Sequence, residues 1–122
     1  MHIPELSPRT YAPELHTGVI VRSVGWLGRR VPHKGHAAPS ILEALRRYAT
    51  TGYRDDNDLG FHTCEICGRA NSHGEFWVEW RGVRYVLPMM VFHYVEAHRY
   101  LPPDEFLSAV QQKNEFETAG RA

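Results

Sequence analysis

The sequence has only two cysteines, no excess charge of either sign and no long hydrophobic run. Two cysteines cannot build a disulfide framework. Cys64 and Cys67 lie three positions apart, and in a reducing compartment that spacing points to metal or redox chemistry instead. Lys+Arg and Asp+Glu each number 14. A protein that grips phosphate backbones carries a strong basic excess, so nucleic acid is disfavoured as the main partner. No apolar stretch approaches the roughly 20 residues that span a bilayer. The opening MHIPELSPRTYAPEL lacks the charged start and apolar core of a secretory signal, so a cytoplasmic location away from membranes is expected. There is no serine–histidine–acid arrangement, no glycine-rich phosphate loop and no carboxylate pair with evident geometry. The expectation therefore leans away from an enzyme, although catalytic groups can meet only in three dimensions.

What is present is a globular composition, 43% hydrophobic and 23% charged, in a chain of 122 residues. That length suits one domain with a modest core. Residues 1–17 contain three prolines and no clear period, and read as an irregular arm. Gly18–Trp26 (GVIVRSVGW) is rich in β-branched residues and reads as a strand. Residues 28–39 form a basic loop with glycine and proline. A helix follows, with Ser40 and Glu43 as a capping box, Ile41, Leu42, Leu45 and Tyr48 at helical spacing, and Gly52 as its C-terminal cap. Residues 53–60 read as a polar loop. Glu75–Trp80 and Val83–Leu87 read as strands of a hairpin closed by Arg81 and Gly82. A helix is expected from about Pro88 to His98 and a shorter one from about Pro103 to Gln112, each opened by proline, which is tolerated in a first turn. Asp104 and Glu105 suit the positive end of the second. The tail from residue 113 reads as polar and frayed. The fold class is thus α+β in one domain over 1–122: an arm (1–17), a strand, loop and helix (18–60), a zinc-bound hairpin–helix–helix module (61–112) and the tail (113–122).

The chemistry concentrates in Cys64, Cys67, His93 and His98, a C-x2-C-x25-H-x4-H pattern. Two thiolates and two imidazoles make a tetrahedral set that Zn2+ favours. The short cysteine gap lets one tight turn present both sulfurs, and Gly68 can supply a left-handed residue there. His93 and His98 stand roughly 140° apart around an ideal helix, so the helix has to loosen or end near His98. A redox C-x-x-C would need a βαβ setting that the sequence does not offer. The bland alternative is two buried free cysteines and two packed histidines. Four protein ligands leave no position for water, so the zinc reads as structural, not catalytic.

FHTCEIC (Phe61–Cys67), HYVEAHRYLPPDEF (His93–Phe106) and VGWLG (Val24–Gly28) together resemble a group of small bacterial proteins of unassigned function. Their pattern is G-F-H-x-C-x-x-C, a hairpin, then H-Y-x-x-x-H-x-Y-x-P-P-x-x-F. The resemblance spans about residues 18–110. It implies bacterial origin and a zinc-type site on the same four residues, and no activity. The ligand set and hairpin–helix order are also similar to C2H2 zinc fingers.

Among the other histidines, His62 is a candidate supporting residue or substitute ligand that more simply packs. His33 and His36 are a weak second metal site, and His73 reads as solvated. Arg22, Arg29, Arg30 and Lys34, with His33 and His36, form a candidate anion or nucleic-acid patch whose simpler reading is a solvated loop. Asp55, Asp56 and Asp58 read as a solvated acidic loop. Tyr94, Tyr100 and Phe106 read as core, while Met89, Met90 and Phe92 either extend that core or expose a contact surface. The helix carrying His93 is mostly apolar, unlike a major-groove reading helix. These readings favour a non-catalytic zinc-stabilised interaction module with an unidentified protein partner, such as a regulatory or immunity-type factor. The alternative is a nucleic-acid-binding zinc-finger-like protein, and an enzyme with an open zinc position is the weakest option.

Overall fold

The computed structural model describes residues 2–55 and 62–120. The class is α+β, as expected. A 3-10 turn, Pro13–His16, precedes strand β1 (Ile20–Ser23), helix α1 (Pro39–Thr51) and strand β2 (Tyr53–Asp55). Strands β3 (His62–Thr63), β4 (Asn71–Ser72), β5 (Glu75–Trp80) and β6 (Val83–Pro88) follow, then helices α2 (Val91–His98) and α3 (Asp104–Ala119). The main sheet has the order β1-β6-β5-β2, and β3 and β4 form a separate two-stranded ribbon.

The β5–β6 hairpin forms where the alternation placed it. Arg81 and Gly82 both take positive φ, 49° and 81°, as a tight hairpin turn with the native twist demands. Strand β1 then adds to β6 in parallel, Ile20 opposite Val83 and Ser23 opposite Val86. Side chains alternate across the sheet, so each face has its own core. One face sends Phe76, Val78, Tyr85 and Leu87 against Leu45 and Tyr48 of α1, Val91 and Tyr94 of α2, and Phe106 and Val110 of α3. The other sends Val21 and Val86 against Ile3, Ala12 and Trp26. The proline-containing arm thus supplies a covering layer where no helix is present. Its amides are met by the edge of the sheet: Ile3 N–H donates to the Trp26 carbonyl and Leu6 N–H to that of Ser23, while Ser23 N–H donates to the Ser7 carbonyl.

Several boundaries differ from the expectations, each for a local reason. The capping box does not form: α1 starts at Pro39, Ser40 lies inside the first turn, and no side chain caps it. Proline lacks one of the orphan donors and is already set at helical φ, and the Ala38 carbonyl takes the Ile41 and Leu42 amides. Gly52 does cap α1, donating to the Tyr48 carbonyl, but at φ −90° rather than left-handed. The polar stretch after it begins as a strand, with Tyr53–Asp55 pairing antiparallel to Glu75–Trp77; Asp56 and Asp58 lie outside the described residues. Pro88 ends β6 opposite Glu75 instead of opening α2. Strand β1 pairs only as far as Val86, so a missing donor on that side goes unnoticed. The tail from Lys113 is helical to Ala119. Tyr48 donates to Glu117, Arg47 to Asn114, and Phe116 sits on Trp80, so tertiary contacts hold a segment whose composition looked frayed.

Two buried features set stability. At Gly25 the chain passes close beneath α2 with φ +80°, and an added Cβ would lie 2.9 Å from the Val91 side chain. The Gly25 amide donates to Glu5, which also accepts from the Tyr100 hydroxyl. On the sheet's other face Glu75 is fully buried beside His16 (Nε2 to Oε1, 3.4 Å). Arginine only donates, so the Arg84 guanidinium at 3.0 Å makes His16 Nδ1 the acceptor. His16 therefore holds its proton on Nε2 and offers it to Glu75. Burial, reinforced by Asp55 and Glu14 and opposed by Arg84, pushes the Glu75 carboxyl up to about 7; burial and then Arg84 push His16 down.

Gly25→Ala should cost about 2–4 kcal/mol, the sum of a left-handed alanine and overpacking against Val91, read as a lower denaturation midpoint. Glu75→Gln should act through pH. An acid whose folded pKa is raised contributes fully below its unfolded pKa, near 4.5, and that contribution is lost as pH rises through the folded value. The melting temperature of Glu75→Gln relative to the native chain should therefore climb between about pH 5 and pH 8; a difference that stays flat across that range counts against a buried, proton-holding Glu75.

Candidate metal centre

The two cysteines sit on a reversal between β3 and β4. Thr63 pairs with Asn71 across the ribbon and donates a side-chain bond to it at 2.6 Å. Within the turn, Cys64 N–H donates to the Ala70 carbonyl and Gly68 N–H to the Cys64 carbonyl. Gly68 takes φ +68° with open space around its α-carbon, the left-handed role expected of it. Gly60 and Phe61, which open the motif, lie outside the described residues.

The histidines come from α2. His93 is in its middle and His98 is its last residue. Arg99 takes φ 55°, and both its own N–H and that of Tyr100 (3.1 Å) return to the Tyr94 carbonyl, so a left-handed residue closes the helix. The helix thus stops where the wide angle between the two rings required it to. Tyr94 locks α2 to the N-terminal half by donating to the Leu27 carbonyl.

Both rings present Nε2 to the sulfurs. His93 Nε2 is 3.4 Å from Cys67 Sγ, His98 Nε2 is 3.5 Å from Cys64 Sγ, and the two nitrogens are 3.2 Å apart. All four donor atoms lie within 4.8 Å of one another, close enough to hold a metal ion. Cys64 is buried, and the other three are half-buried. Burial, then the neighbouring His98, lowers the His93 pKa, which favours the neutral ring that a metal requires. Burial, then the approach of Cys64, Glu65 and Cys67, pushes the Tyr94 phenol up to about 12, so it stays a neutral donor.

The remaining candidates separate clearly. His62 is not in the donor cluster; its ring lies 6.1 Å from Trp26 and 6.2 Å from Tyr11, and burial lowers its pKa. His33 and His36 are exposed, and among the described residues the four-residue group is the one cluster with metal-holding geometry. His73 is exposed. Arg22 leaves the basic patch to pair with Glu105 of α3 at 2.8 Å, whereas Arg29, Arg30 and Lys34 stay exposed. Tyr94, Tyr100 and Phe106 are core. Met90 is buried and Phe92 stacks on Phe76 at 5.7 Å, so of the two readings of this apolar group it is the core that they extend. The left-handed Arg99 was not foreseeable, since an arginine gives no local signal for that conformation.

Among the described residues no helix is long and apolar enough to cross a membrane. No curated protein and no solved structure shows significant similarity to the chain. A family model does match residues 1–111, which takes in the arm, the sheet, the cysteine turn, α2 and the first half of α3. The chain belongs to the family described as domain of unknown function DUF7919.

Proposed function

We propose that Cys64, Cys67, His93 and His98 hold one structural Zn2+ and that the chain is a non-catalytic, zinc-stabilised interaction module. The observation that carries this reading is the spacing of the donors. Ligand lengths of about 2.3 Å for sulfur and 2.05 Å for nitrogen give tetrahedral edges of about 3.6 Å between sulfur and nitrogen and about 3.3 Å between nitrogens. The corresponding separations are 3.4, 3.5 and 3.2 Å. Two thiolates with two imidazoles in that shape suit zinc better than calcium or magnesium, which take oxygen ligands.

Cys64 and Cys67 on the turn and His93 and His98 on α2 would hold the ion, which would supply the charge and bonding that fasten the two together. Four protein donors close the shell, leaving no site for an activated water, so the ion does not act as a Lewis acid toward substrate. The chain's own residues do the rest: Gly68 turns the sulfurs inward, Arg99 halts the helix, and Tyr94 ties it to Leu27. A cytoplasmic, reducing setting keeps the thiols available, and the motif likeness favours a bacterial source. Protein interaction is preferred over nucleic acid because α2 buries Val91 and Tyr94 in its own core, and its exposed charged residue is the acid Glu96, not the basic side chains that a groove-reading helix carries.

The purified chain should contain one equivalent of zinc by elemental analysis. Cys64→Ala or a strong chelator should remove it and unfold the cysteine turn and α2, a coupling worth on the order of 10 kcal/mol in small zinc domains. Circular dichroism and melting temperature unchanged on complete metal removal would sink the structural role, and a metal-free folded chain would sink the site.

A further inference from the structure

No acidic residue occurs between Glu14 and Glu43, while Arg22, Arg29, Arg30 and Lys34 all fall inside that span. The fold neutralises Arg22 with Glu105 and leaves the other three exposed on the loop after Leu27. It then adds Arg99 to them. Gly35 N–H donates to the Arg99 carbonyl, and Lys34 bridges to Tyr100, so the loop is pinned to the chain just past the last metal donor. Elsewhere Arg46 pairs with Glu96, Arg84 with Glu79 and Lys113 with Glu117. A chain with no net charge therefore has a local positive edge.

Beside that edge lies a groove of about 780 Å³ between the arm and the loop. The exposed Pro4 and Pro32 line it over a floor of the buried Ile3 and Leu27, and Arg29 and Arg30 also line it. Of its two carboxylates, Glu5 is turned inward to the Gly25 amide and the Tyr100 hydroxyl. Glu65 offsets one arginine, and Arg30 has no ion pair or hydrogen bond among the described residues. A second groove of about 520 Å³ shares Glu5 and Pro32 with the first and continues over Leu101 and Pro102. The two make an extended track.

The lining selects the occupant. Apolar walls give a free phosphate or other small anion nothing beyond one or two arginines. Single-stranded nucleic acid needs aromatic platforms for its bases, and no phenylalanine, tyrosine or tryptophan is among the described lining residues. An extended peptide with apolar side chains beside carboxylates satisfies both walls and edge. Resting on the interaction-module reading above, we propose that this groove docks an acidic, leucine-bearing segment of a partner protein, its apolar side chain over Pro4 and Pro32 and its carboxylates on Arg29 and Arg30.

The probe is a fluorescein-labelled peptide of alternating Glu and Leu, titrated with the metal-loaded full chain. The controls are the same peptide with Lys for Glu, the same peptide with Ser for Leu, and oligouridine RNA. Arg29 and Arg30 are exposed, so Arg29→Glu with Arg30→Glu leaves folding intact. The double variant should weaken acidic-peptide binding by about 10-fold or more, added salt should weaken it too, and Arg81→Glu, on the hairpin turn, should leave it unchanged. Replacing Leu by Ser should also weaken it. No binding of the acidic peptide, equal binding of the Lys peptide, or tighter binding of oligouridine overturns the proposal. Binding that survives the double variant but falls with Arg81→Glu moves the contact to another surface, which removes the groove and leaves an interaction module standing.

Discussion

Two sulfurs and two imidazole nitrogens converge within 4.8 Å, drawn from segments that have little else in common. The cysteine turn is a short ribbon, too small to be stable by itself. Helix α2 has eight residues, below the length at which an isolated helix persists in water. Neither piece owns its geometry. Each is held by the other, by the hairpin between them and by Tyr94 reaching across to Leu27. The half-exposed position of three of the four donors places this junction at the surface, while the apolar side of α2 closes the core.

That arrangement shows why the donor set was legible and its surroundings only partly so. The cysteine spacing, the positive-φ glycine and the hairpin are local, and a local pattern can be read from neighbouring residues. Arg81-Gly82 between alternating runs needed no tertiary information. The same holds for the start of α3, where Pro103 precedes Asp104 and Glu105. The errors have the opposite character. Ser40 and Glu43 make a capping box only if the helix begins at Ser40, and Pro39 moved that start. Pro88 suits a helix's first turn or a strand's end equally well, and the decision lay with β1, which stops short of it. Residues 113–119 look frayed until Tyr48, Arg47 and Trp80 are brought alongside.

Two features were illegible in principle. The parallel pairing of β1 with β6 joins residues some sixty positions apart, and nothing near either strand announces the other. The burial of Glu75 is the second. It occupies the first position of a strand whose alternation was read correctly, yet its face is covered by an arm with no period of its own. His16 and Arg84 make a carboxyl tolerable there by fixing one tautomer between them. A composition with no net charge concealed both this buried polar cluster and the uneven distribution of cations outside it.

The parallel pairing also governs the order of events during folding. A hairpin closes in microseconds because its strands are adjacent, whereas a contact spanning about sixty residues must first absorb the entropy of a large loop. Strand β1 therefore has no edge to join until β6 exists, and β6 has no register until it meets β5. The arm, which bonds to β1 and covers the face that β1 helps to complete, follows later still. In a chain made from its N-terminus, the first third waits for the last, and its core residues Val21, Val24 and Trp26 stay without a permanent neighbour throughout that interval.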